Sequence, residues 1–345
     1  MYDWAHLWLC DGIGDEEAGR VFKALSRNKC RSSIYEFAEY ALTYNLPKAH
    51  GSLNAVLDRD RLRNNLLKTH FSASASEFLT LVPILERYLN HVVVKRGECP
   101  NECNSFLACL QVIELLNSIK ACEITPEQLR ASIRHFRQMS WAAYGDDPIR
   151  PKYHYILHLP DMLQRHGSLF SCLVNERRHR LVKQYTRTRS APSRWELGAL
   201  EEIVTCQMYD AENVVFGRTG LIKGHAPRGQ TRENLEAMCP EASVIQVGTD
   251  VRTFFGTAHI HDIVWVQCGE TMYAAKILVL CLIDDVNAAI VDRYELSGVG
   301  SDDAWPVFTF GDQNACLVSS DDLLCATQSQ ASDTARSVFR PFYLR

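Results

Sequence analysis

The sequence predicts an α+β protein in which an all-helical region, residues 1–210, is followed by a linker, 211–240, and a small antiparallel β-barrel or sandwich, 241–345. Two observations support this division. Apolar residues recur at helical spacing behind capping signals up to about residue 210. Beyond the linker, short apolar runs are separated by turn signals at intervals of roughly 8 to 12 residues, which is typical of a small β domain.

Composition and charge limit the classes of protein to consider. Of the 345 residues, 46% are apolar, and no uninterrupted apolar run reaches the roughly 18 residues that a membrane span requires. The net charge of -4 is uneven, because residues 148–194 are basic, so contact with nucleic acid is expected to be local. The 13 cysteines are scattered through apolar windows and no secretory leader precedes them, which predicts reduced thiols in an intracellular protein.

The first helices are predicted from their start signals. Acidic residues open a helix over residues 15–26, and Ser33 with Glu36 forms a capping box for a second helix that Pro47 ends. Residues 48–70 are more polar and predict a loop with a partly exposed helical piece.

Three further helices are predicted. Ser74 and Glu77 form a capping box before a buried helix in which Pro83 either introduces a kink or marks the first turns. A further helical run covers residues 106–119, and Thr125 with Gln128 caps the next helix.

The basic region begins at a turn, residues 146–151. Its apolar residues predict a buried helix broken at Pro160, which Gly167 separates from a helix over residues 169–189. Residues 195–209 are predicted to be helical again.

The C-terminal part reads as short strands joined to the helical part by a polar, glycine-rich segment, 217–234. This segment lacks the Gly-Lys-Ser/Thr ending of a phosphate-binding loop. The predicted strands are residues 244–247, 251–258, 262–266, 272–283, 288–296, 307–310 and 315–319.

The densest positive charge surrounds a single carboxylate, Glu176, in the stretch NERRHRLVKQYTRTR at residues 175–189. One interpretation is a solvated helix with internal ion pairs. The other is a carboxylate held among phosphate-binding cations, an arrangement that suits a divalent metal placed against a nucleic-acid backbone. The cations concerned are Arg177, Arg178, Arg180, Lys183, Arg187, Arg189 and Arg194.

The run PKYHYILHLPDMLQRHGSLFSC, continued by NERRHRLVKQY, resembles the C-terminal half of DDE-type transposases and transposon-derived proteins of the CACTA (En/Spm-like) kind. Two further segments also resemble parts of this family. They are Tyr2–His6, which is similar to an Asp-x-x-His element, and Ser72–Glu77. The resemblance covers about residues 1–190 and is specific over 151–183.

The resemblance implies an RNase H-like core with a helical insertion and a site for divalent metals. It implies Glu176, Asp3, His6 and His179 as the catalytic set, with Glu176 and Asp3 binding Mg²⁺ or Mn²⁺. DNA is the implied partner and the nucleus the implied location. Because the sequence starts just before Asp3, the strands that carry the earlier aspartates of the family have no residues here, so we expect a catalytically incomplete remnant.

The residues leave several interpretations open. A zinc site is allowed by the spacings of His154, His158, Cys99 and Cys103. Trp265, Tyr273, Trp305 and Phe308 suit either the β core or an aromatic groove for a protein partner. The chain is accordingly interpreted as a transposase remnant, or as a non-catalytic interaction module with an SH3-like barrel on a helical scaffold, or thirdly as a metal-dependent nuclease.

Overall fold

A computed structural model describes residues 2–9, 11–119, 124–145, 150–171, 200–201, 204–205, 208, 220–253, 256–299, 306–309, 315–331 and 335–338. Helices dominate the N-terminal part and antiparallel strands the C-terminal part, so the α+β prediction is confirmed. The chain divides into two compact units. The first consists of Met1–Phe37 and Val56–Phe216, and the second of Ala38–Ala55 and Gly217–Arg345.

The described residues of the first unit are mainly helical, and the division between the units falls inside its third helix. The helices are α1 (Trp4–Trp8), α2 (Ile13–Arg27), α3 (Ile34–Ala41), α4 (Arg59–Lys68), α5 (Ala75–Tyr88), α6 (Pro100–Ser118), α7 (Pro126–Tyr144), α8 (Pro151–Tyr155) and α9 (Leu159–His166).

Local hydrogen bonds start α5 and α7 where the sequence predicts. The Glu77 amide donates to Ser74 Oγ (3.3 Å), and the Ser74 amide donates to the Glu77 carboxylate (2.7 Å). Thr125 and Gln128 make the same reciprocal pair at α7. Pro83 lies inside α5, which continues into a π-helical turn, Leu89–Val93.

The helices pack around large aromatic side chains that are almost completely buried. Trp8 contacts Phe136 with a centroid separation of 5.4 Å, and Phe22 contacts Phe37 at 5.5 Å. Burial of a side chain such as Phe contributes about 1.5–3 kcal/mol relative to its exposure. These contacts therefore supply much of the energy that fixes the positions of α1, α2, α3 and α7.

The predicted helix over residues 195–209 is described only in part. Residues 200, 201, 204, 205 and 208 are helical. Leu200 and Val204, two of the apolar residues of this predicted helix, are 58% and 44% exposed.

The second unit contains antiparallel strands and one described α-helix, α10 (Gly229–Met238). The strands are β1 (Tyr44–Asn45), β2 (Gly220–Ile222), β3 (Ile245–Gly248), β4 (Asp250–Thr253), β5 (Gly256–His259), β6 (Ile263–Cys268), β7 (Thr271–Ile283), β8 (Val286–Arg293), β9 (Glu295–Val299), β10 (Pro306–Thr309), β11 (Ala315–Ser319), β12 (Leu323–Thr327), β13 (Ser329–Ala331) and β14 (Ala335–Val338).

The described strands form three open sheets. Their orders are β1-β13-β14-β10-β9, then β11-β8-β7-β6-β12 with β3 also on β7, and β2-β4-β5. The described strands do not close into a barrel, because the six-stranded sheet ends at β11 and β12, which do not pair with each other. Of the two predicted alternatives, barrel or sandwich, the described strands therefore do not form the closed barrel.

The long strand β7 organises the core of this unit. Tyr273, Ala275 and Ile277 project into one buried cluster, while Ala274 belongs to a second, as the two-residue period of a strand requires. In the second cluster Trp265 of β6 meets Phe308 of β10 edge to face at 5.8 Å. The six-stranded and five-stranded sheets thus contact each other through aromatic side chains.

Sequence and structure differ in several segments of this unit. Each of two ranges predicted as single strands, 251–258 and 288–296, is divided between two strands in the structure. In the second range the division falls at Tyr294, whose amide donates a hydrogen bond to the Ala274 carbonyl. The predicted linker contains β2 and α10, and Leu235 of α10 is fully buried against β3, β7 and β8. Residues 38–55 group with the β unit, since β1 pairs with β13.

Candidate functional site

Asp3 and His6, two residues of the predicted catalytic set, lie together at the start of α1. Asp3 caps the helix by accepting the Ala5 amide at 3.0 Å, and its other oxygen lies 2.6 Å from His6 Nδ1. The Asp3 side chain is 14% exposed and that of His6 is 51% exposed. The His6 ring is therefore about half exposed, whereas the Asp3 carboxylate is largely covered.

Residues of α8 and of the segment that follows α9 lie beside this pair. The Trp4 amide donates to the Phe170 carbonyl at 3.3 Å, and Lys152 of α8 donates to the His6 carbonyl at 2.8 Å. Tyr2 stacks on Tyr155 with a centroid separation of 4.8 Å. Residues far apart in sequence therefore meet at the N-terminal end of α1.

The remaining predicted site residues lie outside the described residues. They are Glu176, His179, Arg177, Arg178, Arg180, Lys183, Arg187, Arg189 and Arg194. Their roles stay predictions from the sequence.

A second group of polar side chains, which sequence reasoning missed, lies where the turn before α5 meets the start of α2. One ligand atom each of Asp11, Asp15 and His70 lies within 4.8 Å of the others. His70 Nε2 is 3.1 Å from Asp11 Oδ1. No spacing rule connects His70 with the two aspartates, so only the folded chain reveals the group.

Asp15 is the buried member of this group and is 1% exposed. Burial, with a smaller contribution from the charge of Asp11, raises the pKa of its carboxyl from the ordinary 3.8 to about 8. The Gly12 amide, at 3.4 Å from Asp15 Oδ2, the Asp11 amide and the charge of Lys152 oppose this rise in pKa. Oδ1 of Asp15 accepts no hydrogen bond within the described part of the chain.

The next carboxylates of α2 belong to a separate buried network. Glu17 accepts hydrogen bonds from Ser105 (2.7 Å), Tyr153 (2.9 Å) and Ser140 (3.3 Å). Burial raises the pKa of Glu17, and the bonds from Ser105 and Tyr153 partly counter that shift. These bonds join α2, α6, α7 and α8, so the network is read as structural.

A cavity of about 430 Å³ opens beside this network on α7. Arg134 and Arg137 line it and are exposed, as is Trp141 at 57% exposure. The buried Tyr144 hydroxyl finds no hydrogen-bond partner among the described residues. Guanidinium groups beside an exposed indole suit an anionic ligand with a flat ring, such as a nucleotide.

The four residues of the zinc alternative are not brought together. His154 and His158 place their Nε2 atoms 3.3 Å apart, whereas Cys99 lies 3.8 Å from Cys30. Among the described residues, the group of three or more ligands that the structure assembles is Asp11, Asp15 and His70 rather than a His and Cys set. The described cysteines are free thiols.

The aromatic residues predicted for the β unit are mainly core. Trp265, Tyr273 and Phe308 are at most 7% exposed, and Trp305 lies outside the described residues. Their edges nevertheless line a cavity of about 750 Å³ in the second unit, together with Arg293, which stacks 4.4 Å from the centre of the Tyr273 ring.

Comparison with known proteins adds no relative. Neither a protein-family model, nor a curated protein, nor a solved structure matches the chain. None of the helices in the described ranges is both long and apolar enough to cross a membrane.

Proposed function

We propose that the chain is a transposon-derived, DNA-binding protein that corresponds to the C-terminal half of a CACTA DDE transposase, with a partial RNase H-like region, an incomplete catalytic set and a nuclear location. In this proposal Asp3 and Glu176 bind Mg²⁺ or Mn²⁺ near a DNA phosphate, and His6 and His179 flank the carboxylates. The main structural support for this proposal is the hydrogen bond that the Trp4 amide donates to the Phe170 carbonyl. It supports the proposal because Phe170 is six positions before Glu176 in the sequence.

The donor set around Asp3 fits a hard divalent cation. The Asp3 side chain is 14% exposed and its carboxylate is oriented by the Ala5 amide and His6, and carboxylate oxygens are the ligands that hard divalent cations prefer. When bound, such an ion stabilises negative charge on a phosphodiester. The protein residues orient the carboxylate, and Lys152 fixes the backbone at His6.

Cations for the DNA backbone come from two places in this proposal. The predicted basic segment supplies Arg177, Arg180 and Lys183, with its other arginines. The cavity on α7 supplies Arg134 and Arg137, and its exposed Trp141 offers a stacking surface for an unpaired base. Binding through such residues releases counterions and depends steeply on salt.

Salt dependence tests DNA binding. Fluorescence anisotropy with double-stranded DNA is expected to show affinity falling by about tenfold or more between roughly 50 and 200 mM salt, because several phosphates are neutralised. Replacing Arg177, Arg180 and Lys183 by Gln is expected to flatten the slope. Absence of binding at low salt, or an unchanged slope in this variant, would contradict the proposal.

Metal titration tests the carboxylates. Mn²⁺ binding, followed by electron paramagnetic resonance, is expected to weaken in both Asp3→Asn and Glu176→Gln. The matched control is Asp60→Asn, since the Asp60 side chain is 81% exposed on α4. Equal Mn²⁺ affinity in the wild type and both site variants would refute the role of these residues.

The cavity in the β unit favours a second candidate function, a non-catalytic module that binds a protein partner. Leu296, which is 61% exposed, lines it together with the buried Pro306 and Tyr294. A concave, largely apolar site with an exposed apolar side chain at its edge suits recognition of a partner segment. A protein that fails to bind DNA, yet loses partner binding in Leu296→Glu, would favour this function over the first.

A further inference from the structure

The group formed by Asp11, Asp15 and His70 has the composition of a metal site. Two carboxylates and one imidazole bring their ligand atoms within 4.8 Å of one another. Acidic groups are often close together without binding a metal. The environment of Asp15 provides separate evidence for a bound cation.

Asp15 is almost fully buried, yet its Oδ1 accepts no hydrogen bond from the residues that the structure describes. Buried carboxylate oxygens in folded proteins are nearly always paired with a donor or a cation. The ligand atoms of Asp11 and His70 lie close to this carboxylate. A cation bound among the three side chains would interact favourably with all of them.

The segments that carry the ligands are held together tightly. The Phe71 amide donates to the Asp15 carbonyl at 2.9 Å, and the His70 amide donates to the Asn65 carbonyl at 3.1 Å. At Gly19 a Cβ would lie 2.4 Å from the backbone of Thr69 and His70, so only glycine permits this approach of α2 to the turn. His70 is thus fixed relative to Asp15 before any ligand arrives.

We propose that Asp11, Asp15 and His70 bind one divalent transition metal of the Zn²⁺ or Mn²⁺ class, with a ligand set that does not include Asp3 or Glu176. An imidazole with two carboxylates and no thiolate suits these metals better than Mg²⁺, which prefers oxygen ligands alone. Asp11 is 93% exposed, which leaves a coordination position open to water or a substrate atom.

Two features of the surroundings oppose a cation. Asp15 occupies the first turn of α2, where the helix dipole favours negative charge, and Lys152 donates to the nearby Asp11 carbonyl. The dipole contributes the equivalent of about half a positive charge at the helix start. Metal binding at Asp15 therefore competes with the helix end and with Lys152.

The test is isothermal titration of the full chain with Zn²⁺, Mn²⁺ and Mg²⁺ separately. We expect one Zn²⁺ per chain, weaker Mn²⁺ and much weaker Mg²⁺ binding, in the order that such ligands impose. Asp15→Asn and His70→Gln are each expected to weaken Zn²⁺ binding by about 100-fold or more, since loss of even an outer-shell partner costs about 10- to 100-fold.

Folding of the variants is checked by circular dichroism. Asp15→Asn should fold, because the amide has nearly the same shape and keeps an oxygen acceptor for the Gly12 amide. Asp11→Asn provides a second variant, as Asn tolerates the positive φ of 47° at this position. Asp161→Asn, an exposed carboxylate on α9, is the matched control and should leave Zn²⁺ binding unchanged.

Co²⁺ absorption gives a readout of ligand type that does not depend on activity. The wild type should show d–d bands that Asp15→Asn and His70→Gln lose. Unchanged Zn²⁺ affinity in those two variants would overturn the inference, as would no Zn²⁺ binding by the wild type. If Asp3→Asn abolishes metal binding while Asp15→Asn does not, the inference fails and the proposed function stands.

Discussion

At Glu36 one carboxylate links three segments of the helical unit. Arg96 donates to both of its oxygens at 2.8 Å, and the Tyr88 hydroxyl donates at 2.8 Å. Hydrogen bonds from Arg96, aided by Tyr88 and opposed by burial, hold the pKa of Glu36 below its ordinary 4.5. A lowered pKa means that this carboxylate stabilises the fold above about pH 4.5 and that the contribution is lost as the pH falls through the folded-state pKa.

Glu36→Gln is expected to lower the free energy of unfolding modestly at pH 7, because the side chain is 34% exposed and the ion pair is partly screened. The difference from the wild type should shrink below pH 4.5, where the wild-type carboxyl also becomes protonated. Urea denaturation at both pH values measures this. Glu39→Gln, an exposed change on α3, is the control, and a pH-independent gap for Glu36→Gln would contradict the expectation.

Single residues of the candidate sites differ in how far the sequence predicts them. Asp3 and His6 are three apart, so a helix start brings them together by local geometry. Asp15 and His70 meet only because the turn at Thr69 packs against Gly19. Such a contact between distant segments produces no periodic pattern in the sequence.

At the scale of elements, helix starts follow from short-range chemistry. The caps at Ser74 and Thr125 involve residues three positions apart, and both were predicted from the sequence. Strand boundaries were predicted less accurately, because hydrogen bonds between residues far apart in sequence decide where an apolar run is divided into two strands. Tyr294, which separates β8 from β9 by bonding to Ala274, is an example.

Thr125→Ala is expected to reduce the free energy of unfolding by about 1 kcal/mol, since it removes the acceptor for the Gln128 amide at the start of α7. Thr125→Ser keeps the hydroxyl and should stay close to the wild type. Thermal or urea unfolding of the three proteins checks the prediction. Equal stability of the Ala and Ser variants would show that the cap contributes nothing.

At the scale of the whole molecule, the chain does not divide into an N-terminal and a C-terminal half. Residues 38–55 belong to the β unit, through β1 with β13 and through the Lys48 amide, which donates to Asp262 at 3.0 Å. Asp262 is itself 5% exposed and also accepts the His259 amide at 2.9 Å. One buried carboxylate thus joins an early segment to β5 and the turn before β6.

Asp262→Ala is expected to speed hydrogen exchange at the Lys48 and His259 amides, because both lose their acceptor. Amides in α6 and α7, which belong to the other unit, should keep wild-type protection. Hydrogen exchange followed by mass spectrometry or NMR measures this, with Glu270→Ala in the exposed β6–β7 turn as control. Uniformly faster exchange in both units would contradict separate stabilisation of residues 38–55.

The sequence by itself determined the fold class, the starts of α5 and α7 and the Asp3–His6 pair, because each depends on periodicity or on contacts within a few residues. The tertiary structure decided the strand order, the membership of residues 38–55 and the meeting of Asp15 with His70. These depend on which distant surfaces pack together. Since that choice is made by the summed burial and hydrogen bonding of the folded chain, no local pattern reveals it.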